Sequence, residues 1–117
     1  MKLVAEYYET ETGRCPVMEY INSLYTREQA RIVHKIELLE EFGLQLSSPH
    51  TKHVENKLWE LRAGSVRILY FIFSEGRAIL LHGFTKKQDK IPNKEIQIAG
   101  QRYDDFINRS GNEIQRT

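Results

Sequence analysis

The chain has 117 residues, 40% hydrophobic and 28% charged, with 17 Lys and Arg against 16 Asp and Glu. That length predicts one domain, 1–117, with a single core, and the composition excludes a disordered chain. The longest apolar run, 68–73, is too short for a bilayer, Glu6 interrupts any signal-peptide segment, and the lone Cys15 has no internal disulfide partner, so the sequence predicts a cytoplasmic protein without a membrane partner.

Residues 2–8 alternate weakly and predict a first strand. Pro16 suits the first position of a helix, and Val17, Ile21 and Leu24 follow at i, i+4 and i+7. Thr26 with Gln29 fits a capping box for a second helix, striped by Ile32, Ile36 and Leu39 and stopped by Gly43. Residues 44–56, with two serines, Pro49, His50 and His53, predict a surface loop. Three strands follow at 58–63, 66–73 and 77–86, with Gly64-Ser65 and Glu75-Gly76 as two-residue turns. Pro92 opens a last helix with Ile96, Ala99, Tyr103 and Ile107 on one side. Gly100 within it predicts close packing or fraying, and 110–117 predict a frayed tail. The order β-α-α-β-β-β-α gives an α+β two-layer domain, a helical hairpin packed on a mainly antiparallel sheet.

The period of two then assigns faces. Trp59, Leu61, Ala63, Val66, Ile68, Tyr70, Ile72, Ile79 and Leu81 share an apolar face for the helical hairpin. The other face carries Glu60, Arg62, Arg67, His82 and Lys86 among Leu58, Leu69, Phe71, Leu80 and Phe84. Arg62 falls opposite Arg67, which is unfavourable unless an anion lies between them. Glu60 could neutralise the pair as a half-exposed ion-pair network. With His82, Lys86 and Lys87 beside it, the group fits an anion site, because guanidinium forks match phosphate oxygens. Charge placement agrees: residues 52–94 hold nine basic against four acidic side chains, whereas 1–51 hold five against eight. The four histidines lack zinc-type spacing, and there is no P-loop, dinucleotide fingerprint or Gly-x-Ser-x-Gly elbow. No metal or cofactor is expected.

The series LWELR, VRILYF and ILLHGFTKKQDKIP, spanning residues 58–92, resembles the RelE/HigB superfamily of bacterial toxins, specifically its phage-derived HigB-like branch. The resemblance implies a RelE-like fold and a toxin of a type II toxin–antitoxin pair. Its implied partners are a helix-turn-helix antitoxin and mRNA on the ribosome. The implied activity is an mRNA interferase, a metal-independent endoribonuclease in which a ribose 2′-hydroxyl attacks the neighbouring phosphate. Under that chemistry the catalytic set is Arg62, Arg67, His82, Lys87 and Glu60, with Lys57, Lys86 and Lys90 on the RNA. His82 or Glu60 is the base candidate. Family members often carry a tyrosine or histidine near the last helix or the C-terminus; here no histidine follows His82, and Tyr103 has apolar spacing. Two alternatives therefore stand beside the nuclease: a gyrase-binding module like the ParE branch, and a degenerate toxin that only binds its antitoxin.

Overall fold

The computed structural model describes residues 2–116 except Glu75, and the side chains of 112–116 are also outside the description. Its elements are β1 (Val4–Tyr7), α1 (Pro16–Asn22), α2 (Thr26–Phe42), a 3-10 turn (Gly43–Gln45), β2 (Thr51–Glu55), β3 (Leu58–Ala63), β4 (Val66–Phe73), β5 (Arg77–Thr85) and α3 (Asn93–Arg116). The five strands form one mixed sheet in the order β1-β5-β4-β3-β2, with β1 parallel to β5 and the other pairs antiparallel.

The helical hairpin forms for the expected reasons, with one shift. Pro16 starts α1, which buries Val17 and Ile21, and Ile32, Ile36 and Leu39 are the buried stripe of α2. The cap of α2 is Tyr25 rather than Thr26: its N–H donates to Glu28 Oε1 at 3.3 Å. Gln29 instead donates to the carbonyls of Asn22 and Leu24 at 3.2 Å, tying the two helices together. One core lies between this hairpin and the sheet, where Val17, Ile32 and Leu39 meet Leu61, Ile68, Ala78 and Leu80.

A second core lies on the opposite face. Leu58, Leu69, Phe71, Ile79, Leu81 and Phe84 pack there under α3, against Ile96, Ala99, Tyr103 and Phe106. Phe71 meets Tyr103 edge-on at 4.6 Å and Phe106 at 5.7 Å between ring centres, a geometry that aromatic quadrupoles favour. Helices thus cover both faces of the sheet, α3 supplying a layer beyond the two expected.

Four local expectations are corrected. The segment 44–56 is not all loop, because Thr51–Glu55 is β2, paired to β3 from Thr51↔Leu61 onward. Its signal was hidden: only Thr51 is buried, and a register irregularity between His53 and Glu55 spoils the alternation. Residues 110–116 of the tail are helical, since α3 runs through Ser110 and Gly111 to Arg116; Thr117 lies outside the described residues. Gly100 is neither tightly packed nor frayed; a Cβ there would meet nothing within 4 Å.

The fourth correction concerns β5. Phe73 pairs with Arg77, so residues 74–76 make a three-residue connection and the expected two-residue turn fails; Glu75 itself lies outside the described residues. A one-residue shift should move every later side chain to the other face. It does so for Ile79, Leu80 and Leu81: Leu80 joins the hairpin-side core, while Ile79 and Leu81 join the α3-side core. A bulge then intervenes, with Leu69 opposite His82 but Tyr70 opposite Leu80. The extra residue, Leu81, restores the expected pairs Leu69↔His82 and Arg67↔Phe84.

Candidate phosphate-binding cleft

The β3–β4 connection is the expected one: Ala63 pairs with Val66 and Arg62 with Arg67, and Gly64 takes φ +60° in the turn, a conformation that favours glycine. The two guanidiniums therefore start from directly opposed positions on the α3-facing side. Glu60, only 2% exposed, sits between them. Its Oε1 lies 3.5 Å from Arg62 Nε and its Oε2 3.8 Å from Arg67 Nε. Arg67 is itself 6% exposed and is anchored by Nη1, which donates to the carbonyls of Gly64 and Val66 at 2.5 and 3.1 Å.

Electrostatics explains the triad. Burial pushes the Arg67 pKa down, Glu60 pulls it back up, and Arg62 lowers it further. Without the carboxylate, two guanidiniums would face each other with little water to screen them. Yet the fit is loose, for Glu60 Oε2 and Arg67 Nε are both buried without a hydrogen bond. A buried polar atom left without a hydrogen bond costs about 1–3 kcal/mol, so a hydrogen-bond partner at either atom would be favoured.

The arginines open onto a cleft of about 340 Å³ lined by Arg62, Gly64, Ser65, Arg67, Lys86, Lys87, Gln88 and Asp89. The Lys86 N–H donates to Ser65 O at 2.7 Å, which holds the segment after β5 against the β3–β4 turn. Five of the nominated residues are gathered here: Arg62, Arg67, Lys86 and Lys87 in the lining, and Glu60 behind it. Glu60 and Lys86 also line a neighbouring cleft of about 540 Å³, which includes Lys90.

Two nominated residues fall elsewhere. Lys57 precedes β3 at the far end from Arg62, five residues away and so roughly 17 Å along the strand, and lines a different cavity with Glu55, Leu58, Tyr103 and Asp104. His82 lines neither cleft; it is held between β5 and α3. Arg102 Nη1, which can only donate, lies 3.2 Å from His82 Nδ1 and also donates to Leu81 O at 2.9 Å. Nδ1 is therefore the acceptor, and Nε2 must carry the proton that it donates to Glu95 Oε1 at 2.8 Å. Burial lowers the His82 pKa, the Glu95 hydrogen bond opposes this, and the Arg102 charge lowers it again. With both nitrogens used, His82 fastens the start of α3 to the sheet and is not placed to take a proton from a substrate in the cleft.

Gly83, beside it in the LHGF run, is required for packing: a Cβ there would collide with the Tyr20 ring of α1. The sequence reading missed Asp89, Lys52, His53 and Asn93, all of which line the clefts. Asp89 had a signal in its place between Lys87 and Lys90. Lys52 and His53 could be placed only once β2 was known. Among the described residues, no group of three or more His, Cys, Asp or Glu is gathered as metal ligands, and no helix is long and apolar enough to cross a membrane.

Comparison with known proteins agrees with this architecture. A comparison with curated proteins finds no match. The fold is similar to a chain in the crystal structure of the toxin–antitoxin complex RelBE2 from Mycobacterium tuberculosis. The TM-score is 0.53 at 19% identity, covering 74% of this chain and all of that one, so the expected RelE-like α+β fold is borne out. The family model described as phage derived protein Gp49-like matches residues 19–104, most of the chain. The chain therefore belongs to the phage-derived Gp49-like family and has a RelE-like fold.

Proposed function

We propose that this protein is the toxin of a toxin–antitoxin pair and acts as an endoribonuclease on mRNA at the ribosome, in the cytoplasm. The observation that carries this reading is the cleft where Arg62, Arg67, Lys86 and Lys87 converge while Arg67 Nε is left without a hydrogen bond. In the reaction the 2′-oxygen forms a bond to phosphorus and the bond to the 5′-oxygen breaks, leaving a 2′,3′-cyclic phosphate and a 5′-hydroxyl. One proton leaves the 2′-hydroxyl and one is delivered to the 5′-oxygen. The crowded phosphorane carries extra negative charge, so fixed cations bind it more tightly than they bind the substrate. Arg62 and Arg67 take this role. Lys86 and Lys87 hold the backbone, and Lys87 supplies the proton to the leaving oxygen. Asp89 is the one carboxylate among the described residues lining the arginine cleft, and is the base this geometry offers in place of His82. Glu60 sets the arginines rather than moving protons, because it is buried between them. Lys90 extends the RNA track, and the antitoxin partner, expected to carry a helix-turn-helix domain, would have to cover this cleft or block ribosome entry.

A gyrase-binding module is the second reading, favoured by one observation: both ring nitrogens of His82 are engaged. Expression of the chain in growing cells separates the two. Transcripts cut at codons in translating ribosomes, with growth restored by Arg62→Ala, support the nuclease. Stalled gyrase with intact transcripts replaces it with the binding module.

A further inference from the structure

We propose that the larger cleft beside the arginines is a nucleoside subsite, so that the two clefts together take a phosphate and the base and sugar attached to it. This rests on the reading of the arginine cleft as a phosphate site. The two clefts have different chemistry. The smaller is walled by guanidinium, ammonium and hydroxyl groups, with Asp89 the one carboxylate among the described residues lining it. The larger, about 540 Å³, is mostly polar and includes the carboxylates of Glu55, Glu60 and Asp89, but it also presents the aliphatic side chains of Val54, Ile91 and Ile96 beside Asn93 and Lys90. A phosphate needs only the first kind of surface. A nucleobase needs the second, with a flat apolar contact for its face and donors and acceptors for its edge. The Asn93 amide offers both a donor and an acceptor.

Position and size agree. Lys86 and Asp89 line both clefts, so the clefts adjoin, as a phosphate and its own nucleoside do. The volume lies within the usual range of about 300–1,000 Å³ for small-ligand sites. The wall is also built in advance. Ile91, Asn93 and Ile96 stand at the start of α3, which the His82–Glu95 bond at 2.8 Å and the Arg102–Leu81 bond at 2.9 Å fasten to β5. Val54 comes from β2, on the other side of the cleft.

Nuclear magnetic resonance titration of the full chain tests this with three probes: inorganic phosphate, adenosine, and adenosine 3′- or 5′-monophosphate. Phosphate is expected to shift the Arg62 and Arg67 Nε–H signals alone. Either nucleotide should also shift the Val54, Ile91 and Ile96 methyls and bind at least tenfold tighter than phosphate. Asn93→Ala should weaken the binding of either nucleotide while leaving phosphate binding unchanged. Nucleotides that shift only the arginine signals, at the affinity of phosphate, overturn the subsite and leave the phosphate site standing. Phosphate that shifts neither arginine overturns the underlying reading, whatever the methyls do; methyls that respond to adenosine alone would then keep the subsite apart from it.

Discussion

Two polar clusters stand on the α3-facing side of the sheet, and they are built to opposite rules. Around His82 both ring nitrogens have partners: Nε2 gives to Glu95, Nδ1 accepts from Arg102, and Arg102 also reaches Leu81 O. Around Glu60 the ion-pair distances are 3.5 and 3.8 Å, and two buried atoms have no hydrogen bond. The closed cluster spends its valences on joining helix to sheet. The open one keeps some in reserve beside a cleft lined by cations. Residue type alone would have ranked them the other way, since histidine is the usual proton carrier near neutral pH.

The largest effect is expected where the open cluster is broken from within. Glu60→Ala leaves Arg67 buried beside Arg62 with no countercharge, and should destabilise the fold by about 3 kcal/mol. Denaturant unfolding measures this. Converting the pair together, Glu60→Leu with Arg67→Met, should recover most of the stability while abolishing cleavage. Recovery without loss of cleavage would show that the cluster is only structural.

Arg67→Lys asks for less. Charge is kept, but the two bonds to Gly64 O and Val66 O and the planar fork are lost. Cleavage in a translating extract should fall about 100-fold, in line with the loss of one preorganised donor to a transition state. Equal rates for the two side chains would sink the assignment of Arg67 to the phosphate.

The closed cluster predicts a pH effect on stability instead. His82 has its pKa lowered in the fold from 6.5, mainly by burial. Below pH 6.5 the unfolded chain therefore binds a proton that the native state resists. Stability is complete above that value and falls as pH drops toward the lower native pKa. His82→Gln, which keeps a donor for Glu95, should flatten the slope at a cost of about 1 kcal/mol at neutral pH. Urea midpoints measured through this range decide it, and an unchanged slope would mean that another group titrates there.

Much of this contrast was legible in the sequence. The β3–β4 turn is the two-residue Gly64-Ser65 connection that the sequence predicts, and so Arg62↔Arg67 followed from counting. The β4–β5 connection is one residue longer than the sequence predicts, yet Leu69↔His82 and Arg67↔Phe84 hold, because the bulge at Leu81 offsets the longer connection. Two local features cancelled, and neither had a signal: β5 is apolar on both faces, so Ile79, Leu80 and Leu81 fit either core. What burial leaves ambiguous, pattern cannot decide. The clamp on His82 was beyond reach for another reason, since Glu95 and Arg102 lie 13 and 20 residues away and meet it only when α3 docks.

The smallest effect concerns Gly100, where α3 is open without being polar. A glycine inside a helix costs about 1 kcal/mol against alanine, and here the added methyl would touch nothing within 4 Å. Gly100 lines the cavity shared with Lys57, Leu58 and Tyr103, away from both arginines. Gly100→Ala should therefore stabilise the fold by up to about 1 kcal/mol, partly by restricting the unfolded chain. Cleavage should be unchanged. Thermal melting and a cleavage assay on the same preparation test both halves. Loss of activity with the gain in stability would join this cavity to the open cluster and bring Lys57 back among the residues that meet RNA. Stability gained at full activity would mark the opening as a weak turn of helix and leave this cavity outside the site.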